Sequence, residues 1–506
     1  MKNTMTGFAA PAIIRGQLID DDLVTFGGRG GTAAFRAPDP HRLLGSLELS
    51  DPSQLREVQD LPFSEIVAYL AAIGDALALP RNAHMQEALE LSAQFSDMTP
   101  PLVRSSFEQL PALFSAAAVR ELAETTIGIP YLEGWVPRVM TDGRTASVRA
   151  FGTRTVHIIA GNSPLIAALS IIRNAVGRSD AIIKTPSNDP LTALAIARTM
   201  RELDPAHPIT RHLSVAYWKG GDTGFEERLF KPAGVEKIIA WGGLASVTHV
   251  LRYVQPGLEL ISLDPKRSAT IIGPQAFASE EAFADVALRT ATDIGALNQL
   301  GCVNARTVYV ASGTDPDGLE RANRLGEEIY AQLQRLPEHL TTPAKWSDPE
   351  LIADIDALRS SPDWYRVYGG RDGEGAVIVS QLDEPVEFSR RLSGRVANIV
   401  PIDDPADAIR EINAYTQTVG IYPESLKSDL REQLPLHGAQ RLVSLGYAAH
   451  PSVSLPQDGI EPMRRMVKWI VDESCEPDLV RPLWTSNRQA TARAARSWDD
   501  GDRRYN

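Results

Sequence analysis

The stretch RTVHIIAGNSP, Arg154 to Pro164, decides the fold when read with the residues that follow it, LIAALSIIRNAV to Val176. Residues 154–160 form a short apolar run rich in β-branched side chains, the pattern of a buried strand. Asn162 or Ser163 can then cap a helix, and Pro164 suits its first turn, where no backbone N–H is needed. Apolar residues recur at helical spacing through 164–176. Strand, tight turn and helix together open a parallel crossover unit.

The same grammar repeats outward from this stretch. Strand-like runs follow at DAIIK (180–184), LSVAYW (213–218), EKIIAW (236–241) and ELISL (259–263), with helical patterns at 190–203, 223–230 and 244–254 between them. Continuous β-branched runs alternating with helices predict a doubly wound, Rossmann-like domain with a parallel sheet. A second series predicts another: strands at 269–273, 306–312, 377–380, 396–401, 417–423 and 441–446, and helices at 279–297, 315–335, 405–415 and 462–473. Residues 336–375, rich in Pro, Asp, Ser and Gly, read as a long loop or insertion.

The expected fold class is therefore α/β, with two Rossmann-like domains and a peripheral N-terminal segment. The expected divisions are 1–95 as that segment, with GGRGG at 27–31 and helical patterns near 64–79 and 85–95, then 96–264 as a nucleotide-binding domain. Residues 265–455 form a second domain, and 456–506 a closing helix and polar, Arg-rich tail.

Bulk properties exclude several function classes. With 51 basic and 64 acidic residues the net charge is −13, which argues against a nucleic-acid partner. No apolar run approaches the roughly 18 to 20 residues of a membrane-spanning helix. Arg15 and the acidic run Asp20–Asp22 interrupt the start, so no secretory signal is read. Two cysteines and scattered histidines predict neither a disulfide framework nor a metal site, and a cytoplasmic setting is expected.

Four local features carry chemistry. In NQLGCVNAR (298–306), Cys302 lies at a helix-to-strand junction, where a thiol can serve as a nucleophile if its thiolate is favoured. A lone cysteine in such a place is more often a small core residue. In AGNSP (160–164), the Asn162 amide can donate to an oxygen that becomes negative in a tetrahedral intermediate. In IIKTPSNDP (182–190), Lys184 ends a parallel strand, where a cation can reach a nucleotide's ribose or phosphate. In AWGGLASV (240–247), Gly242 and Gly243 after Trp241 let the backbone approach a pyrophosphate at a helix N-terminus.

In this order and spacing, Asn162, Lys184, the Gly242–Gly243 turn, and Gln299, Cys302 and Arg306 resemble the aldehyde dehydrogenase superfamily over about residues 135–473. Hydrolytic members carry a water-activating Glu in a Glu-Leu-Gly-Gly-Lys segment. The corresponding ISLDPKRS places Ser262 there. RLSGRV (391–396) stands where the superfamily's Glu-Ile-Phe-Gly-Pro segment contacts the nicotinamide ribose. GNSP, WGG, PKRS, QTVGIYP and DGIEPMRRMVKW further resemble the LuxC-type fatty acyl reductases, except that Gln457 precedes Asp458 where that pattern has His.

The resemblance implies reduction of an acyl thioester, carried by coenzyme A or an acyl carrier protein, to the aldehyde. Cys302 would form the acyl-enzyme and Asn162 would hold its oxyanion. Lys184, Ser187, Trp241, Gly242 and Gly243 would bind the nicotinamide cofactor. NADPH is expected ahead of NADH, because Ser187 replaces a Glu that would repel a 2′-phosphate. The superfamily also implies a homo-oligomer. A hydrolytic aldehyde dehydrogenase is the alternative, disfavoured by Ser262.

Overall fold

A computed structural model describes residues 8–27, 34–49, 51–475 and 483. Residues 28–31 of the GGRGG stretch and the Arg-rich tail lie outside the described residues. The chain divides into two compact units. One comprises residues up to Gly128 together with Phe151–Lys468, and the other comprises Ile129–Ala150 with the residues from Trp469 onward.

In the first unit, the five expected strands form one parallel sheet. Its order is Glu259–Leu263, Lys237–Trp241, Arg154–Ile158, Asp180–Lys184, then Leu213–Ala216. Arg154–Ile158 lies at the centre, so the AGNSP turn opens between diverging crossovers, where such folds bind ligands. The N-terminal segment completes this sheet at its edge: Ala12–Ile14 pairs antiparallel with Leu213–Ala216, and Gln17–Ile19 with Ala12–Ile14. Leu43, Leu44 and Leu47 of the helix Pro40–Leu47 enter the same core as Ile158, Ile182 and Trp218.

The second sheet runs Tyr365–Gly369, Ala376–Ser380, Val396–Pro401, Ala305–Val310, Arg267–Ile272, Thr416–Tyr422, Arg441–Ser444. All its pairs are parallel except the first. Helices Glu280–Gly295 and Pro316–Arg335 seal one face, burying Val286, Ile294, Leu325 and Ile329 against Val308, Val379 and Ile399.

Three expectations are corrected. Residues 336–375 are not one loop: they contain the helix Pro349–Arg359 and the edge strand Tyr365–Gly369. The helix keeps only Leu351 and Ile355 fully inward, and the strand takes its ladder from Ala376–Ser380, so neither shows strong periodicity. The helix at 405–415 is a short 3-10 segment, Pro405–Glu411, opened by a capping box between Asp404 and Asp407. The closing helix spans only Pro462–Met466 and gives way to the strand Lys468–Ser474, where Trp469, Ile470 and Val471 favour extended backbone.

The second unit is built on a small sheet in which Thr145–Phe151 lies between Val136–Val139 and Lys468–Ser474. Val136 pairs opposite Val148, and Tyr131 packs edge-on against Trp469.

Candidate active site

The loop that carries Cys302 leaves the helix Glu280–Gly295 through three consecutive residues of positive φ, Leu297 at 51°, Asn298 at 53° and Gln299 at 61°. Each such non-glycine conformation costs about 1–3 kcal/mol and persists only where surroundings enforce it. Here two amides do so. Asn298 accepts from the Thr342 N–H at 2.8 Å and Thr341 Oγ1 at 3.1 Å, and donates to Thr342 Oγ1 at 3.1 Å. Gln299 donates to the carbonyls of Ala305 at 2.8 Å and Val396 at 2.9 Å, and accepts from the Val396 N–H at 3.0 Å. At roughly 1 kcal/mol each, these bonds offset the strain.

The far end of the loop is pinned as firmly. Asn304 accepts from the Gly301 N–H at 3.0 Å and donates to the carbonyls of Asp293 at 3.1 Å and Ala296 at 2.9 Å. Arg306 donates to the carbonyls of Leu392 at 2.9 Å, Asn304 at 3.2 Å and Gln299 at 3.3 Å. Burial brings its pKa down to about 10. The Gln-x-x-Cys-x-x-x-Arg spacing thus builds a cage for the Cys302 loop, with Gln299 and Arg306 as its struts. RLSGRV supplies two of the points they grip, Leu392 and Val396.

Asn162 meets this loop from the first sheet. Its Nδ2 donates to the Leu300 carbonyl at 3.1 Å, two residues before Cys302. The turn before it is tight: a Cβ on Gly161 would lie 2.0 Å from Asn188 Oδ1 and 2.9 Å from Pro186 Cγ, so any side chain there must displace Asn188. The structure thus brings Asn162 and the Cys302 loop together.

The Cys302 thiol is held above its ordinary pKa, chiefly by burial and secondly by the charge of Asp458; Gln417 and Arg306 act the other way. Ser268 joins these elements. Its hydroxyl donates to the Cys302 carbonyl at 2.7 Å and accepts from the Thr418 N–H at 3.1 Å. Gln417, beside Thr418, donates through Nε2 to Asp458 Oδ1 at 2.5 Å. Burial raises the Asp458 carboxyl above the usual range. Gln457 accepts from Arg173 Nη2 at 3.1 Å, whereas Arg173 Nε and Nη1 are buried without partners.

The remaining sequence-identified residues cluster at the carboxyl ends of the first sheet's strands. Lys184 ends its strand with Nζ 5.5 Å from the Tyr217 ring centre and 3.3 Å from the Thr185 carbonyl. Burial brings its pKa down to about 8. Ser187 is half-buried in the turn that follows. Gly243 is the N-cap of the helix Leu244–Leu251, has no side-chain cap, and faces open space where a Cβ would stand. Trp241 carries a buried Nε1 without a partner, and its ring lies 5.6 Å from the Arg173 guanidinium. Uncapped helix N–H groups, open space at the glycine and a strand-end cation fit an anionic dinucleotide.

Ser262 stands on the strand Glu259–Leu263, and its hydroxyl bonds Asp264. Asp458 and Gln417 were missed by sequence reasoning. Both stand in stretches that carry the family resemblance, Gln417 in QTVGIYP and Asp458 in DGIEPMRRMVKW, but the sequence alone assigns neither a role in the site; the fold sets Gln417 against Asp458. Among the described residues no cluster could hold a metal ion, and no helix is long and apolar enough to cross a membrane.

Fold and site together define a member of the aldehyde dehydrogenase fold class. Aldehyde dehydrogenase 21 from Physcomitrella patens, solved with its product succinate, superposes with a TM-score of 0.72 at 14% identity, covering 93% of this chain and 99% of that one. An NADP-dependent glyceraldehyde-3-phosphate dehydrogenase from Bacillus halodurans C-125, complexed with NADP, gives 0.69 at 14% identity over 92% and 99%.

Within that class, the acyl-CoA reductase (LuxC) family model matches residues 58–469, and the chain belongs to that family. It is 24% identical to a long-chain acyl-protein thioester reductase of Vibrio harveyi over 421 residues, 82% of this chain and 84% of that protein. A long-chain acyl-protein thioester reductase of Aliivibrio fischeri is 26% identical over 439 residues, 84% and 85% of the two chains.

Proposed function

We propose that this oxidoreductase reduces a long-chain acyl thioester to its aldehyde through an acyl-Cys302 intermediate, with NADPH as the hydride source. The observation that carries the reading is the pairing of a caged Cys302 loop with Asn162; the sequence resemblance adds that Ser262 stands at the position of the hydrolytic carboxylate.

Cys302 attacks the thioester carbonyl, and the carrier thiol departs. The second Nδ2 hydrogen of Asn162 is directed to the carbonyl oxygen as it gains charge, a contribution of about 3–4 kcal/mol for donors of this kind. The bound nicotinamide supplies hydride to the acyl carbon. Lys184, Ser187 and the Gly242–Gly243 turn with Trp241 hold the cofactor: Lys184 gives charge, Ser187 leaves room for a 2′-phosphate, and Gly243 lets backbone N–H groups approach the pyrophosphate. Water attack on the acyl-enzyme lacks a base at position 262, so hydride transfer outcompetes hydrolysis.

The carrier is coenzyme A or an acyl carrier protein. Homo-oligomeric assembly and a cytoplasmic setting belong to the same reading; both cysteines are unpaired, as a reducing compartment maintains them. The test is incubation of purified protein with NADPH and a panel of acyl-CoAs, following cofactor absorbance and identifying the aldehyde. Failure to oxidise NADPH with every thioester overturns the reading.

A further inference from the structure

The thioester mechanism gives no part to Ser268, a residue of the PKRS stretch, yet this side chain holds the backbone of the nucleophile. Ser268 lies at the start of the second sheet's strand Arg267–Ile272 and is buried. That strand runs between Ala305–Val310, which follows the Cys302 loop, and Thr416–Tyr422. A regular parallel ladder would pair main chain with main chain at each step on both sides.

Here the ladder breaks on both sides at one level. Ser268 pairs with Ala305 and Ala269 with Thr307, so Arg306 is an extra residue on one neighbour. Arg267 pairs with Thr416 and Ala269 with Val419, so Gln417 and Thr418 on the other neighbour stand against Ser268 alone. Bulges of this kind re-aim side chains beside active sites. They also leave main-chain groups without ladder partners, and the Ser268 hydroxyl takes one such group from each side. Its Oγ donates to the Cys302 carbonyl at 2.7 Å and accepts from the Thr418 N–H at 3.1 Å.

Asn162 grips the loop at the Leu300 carbonyl and Asn304 at the Gly301 N–H, whereas Ser268 grips Cys302 itself. A peptide is planar, so fixing the Cys302 carbonyl fixes the plane that follows its Cα and with it the direction in which the sulfur leaves the backbone. A displacement of about 1 Å at a reacting atom can cost roughly 100-fold in rate. We infer that Ser268 is a positioning residue of acyl transfer, a role that rests on the thioester reading above. Its hydroxyl locks the Cys302 peptide to the strand Thr416–Tyr422, so that the sulfur is aimed at the thioester carbonyl carbon. The hydroxyl, and not the volume of the side chain, is what the reaction needs.

Ser268→Ala removes both bonds, and Ser268→Thr restores the hydroxyl on a residue that strands favour. Tetradecanoyl-CoA is mixed with excess enzyme without NADPH, and coenzyme A release is followed by chromatography. Release by S268A is expected to fall about 10- to 100-fold, and release by S268T to come within about threefold of the wild type. Two further readouts separate aim from a loosened fold. NADPH affinity, by fluorescence titration, should stay within about twofold in S268A, because Lys184, Ser187 and Gly243 stand on the other sheet. Alkylation of Cys302 by iodoacetamide should hold within about threefold or quicken, because a small reagent needs no alignment.

Release by S268A within threefold of the wild type overturns the proposal. So does S268T as slow as S268A, since the hydroxyl would then not be what matters. Loss of NADPH affinity, or alkylation that falls in step with release, assigns Ser268 to the fold alone and overturns it equally. Should S268A not fold, S268C, whose thiol keeps the volume and donates only weakly, is held to the same release rates. If the wild type releases no coenzyme A from any of a panel of acyl-CoAs, the thioester reading itself fails, and the role of Ser268 with it. An active wild type beside an unimpaired S268A sinks the role of Ser268 alone.

Discussion

Asn162 donates through Nδ2 to the Leu300 carbonyl at 3.1 Å, and this bond ties the turn after the first sheet's central strand to the loop that carries Cys302. One amide thereby fixes the loop, and its second N–H is the one proposed above to meet the oxyanion. Asn162→Ala is expected to lower kcat by 10²- to 10³-fold, with a much smaller change in KM for the thioester. Steady-state kinetics with NADPH, beside thermal melting, checks this. A fall in KM-limited binding alone would assign Asn162 to the loop and not to the oxyanion.

Arg306 tests the cage. Its guanidinium reaches three carbonyls at once, from buried surroundings. Arg306→Ala leaves those acceptors unpaired and is expected to cost about 3 kcal/mol or more. Arg306→Lys is expected to recover little, since an ammonium cannot match three diverging acceptors as a planar fork does. Chemical denaturation measures both, and labelling of Cys302 should lose its site selectivity in step.

The first sheet was legible because its strands are buried on both faces: Ile182, Ile183, Ile238 and Ile239 leave an unbroken apolar signature. Tyr365–Gly369 was not, because a five-residue edge strand with no fully buried side chain and no clean alternation, set between turns, looks like loop. The site divides in the same way. Lys184 ends a strand, Gly243 caps a helix start, and Asn162 and Cys302 lie in short turns between elements, so local pattern exposes them. Asp458 and Gln417 lie far along the chain from Cys302, and their meeting is a property of the second sheet's packing, which no local pattern encodes. Gln299 and Arg306 were legible as motif residues, but their work as loop struts needed coordinates.

Ser187 and Lys184 give a cofactor prediction. On the cofactor reading proposed above, Ser187→Glu sets a carboxylate against the 2′-phosphate and is expected to reduce kcat/KM for NADPH at least tenfold while changing NADH less than threefold. Equal losses would remove Ser187 from the ribose site. The sign for Lys184 follows from its pKa near 8 in the free protein: it is cationic below that value and neutral above it. NADPH affinity should therefore weaken as pH rises through about 8, and Lys184→Met should flatten the trend. Fluorescence titration of NADPH at pH 7 and pH 9 measures it without turnover.

His157 makes the last prediction, about stability in acid. It sits at the centre of the first sheet between Ile183 and Ile239, buried, with neither ring nitrogen bonded. Burial, and then repulsion from Arg173, push its pKa down to about 3. The unfolded chain takes up this proton near pH 6.5, so the unfolded state binds more protons between 6.5 and about 3, and stability falls as pH drops through that window. The full difference is roughly 5 kcal/mol, of which about 3 kcal/mol is lost by pH 4. His157→Leu keeps the volume and removes the proton site. Urea midpoints at pH 7, 5.5 and 4 should show the variant gaining on the wild type at each step down. A pH-independent gap between the two would mean that His157 accepts its proton in the folded enzyme.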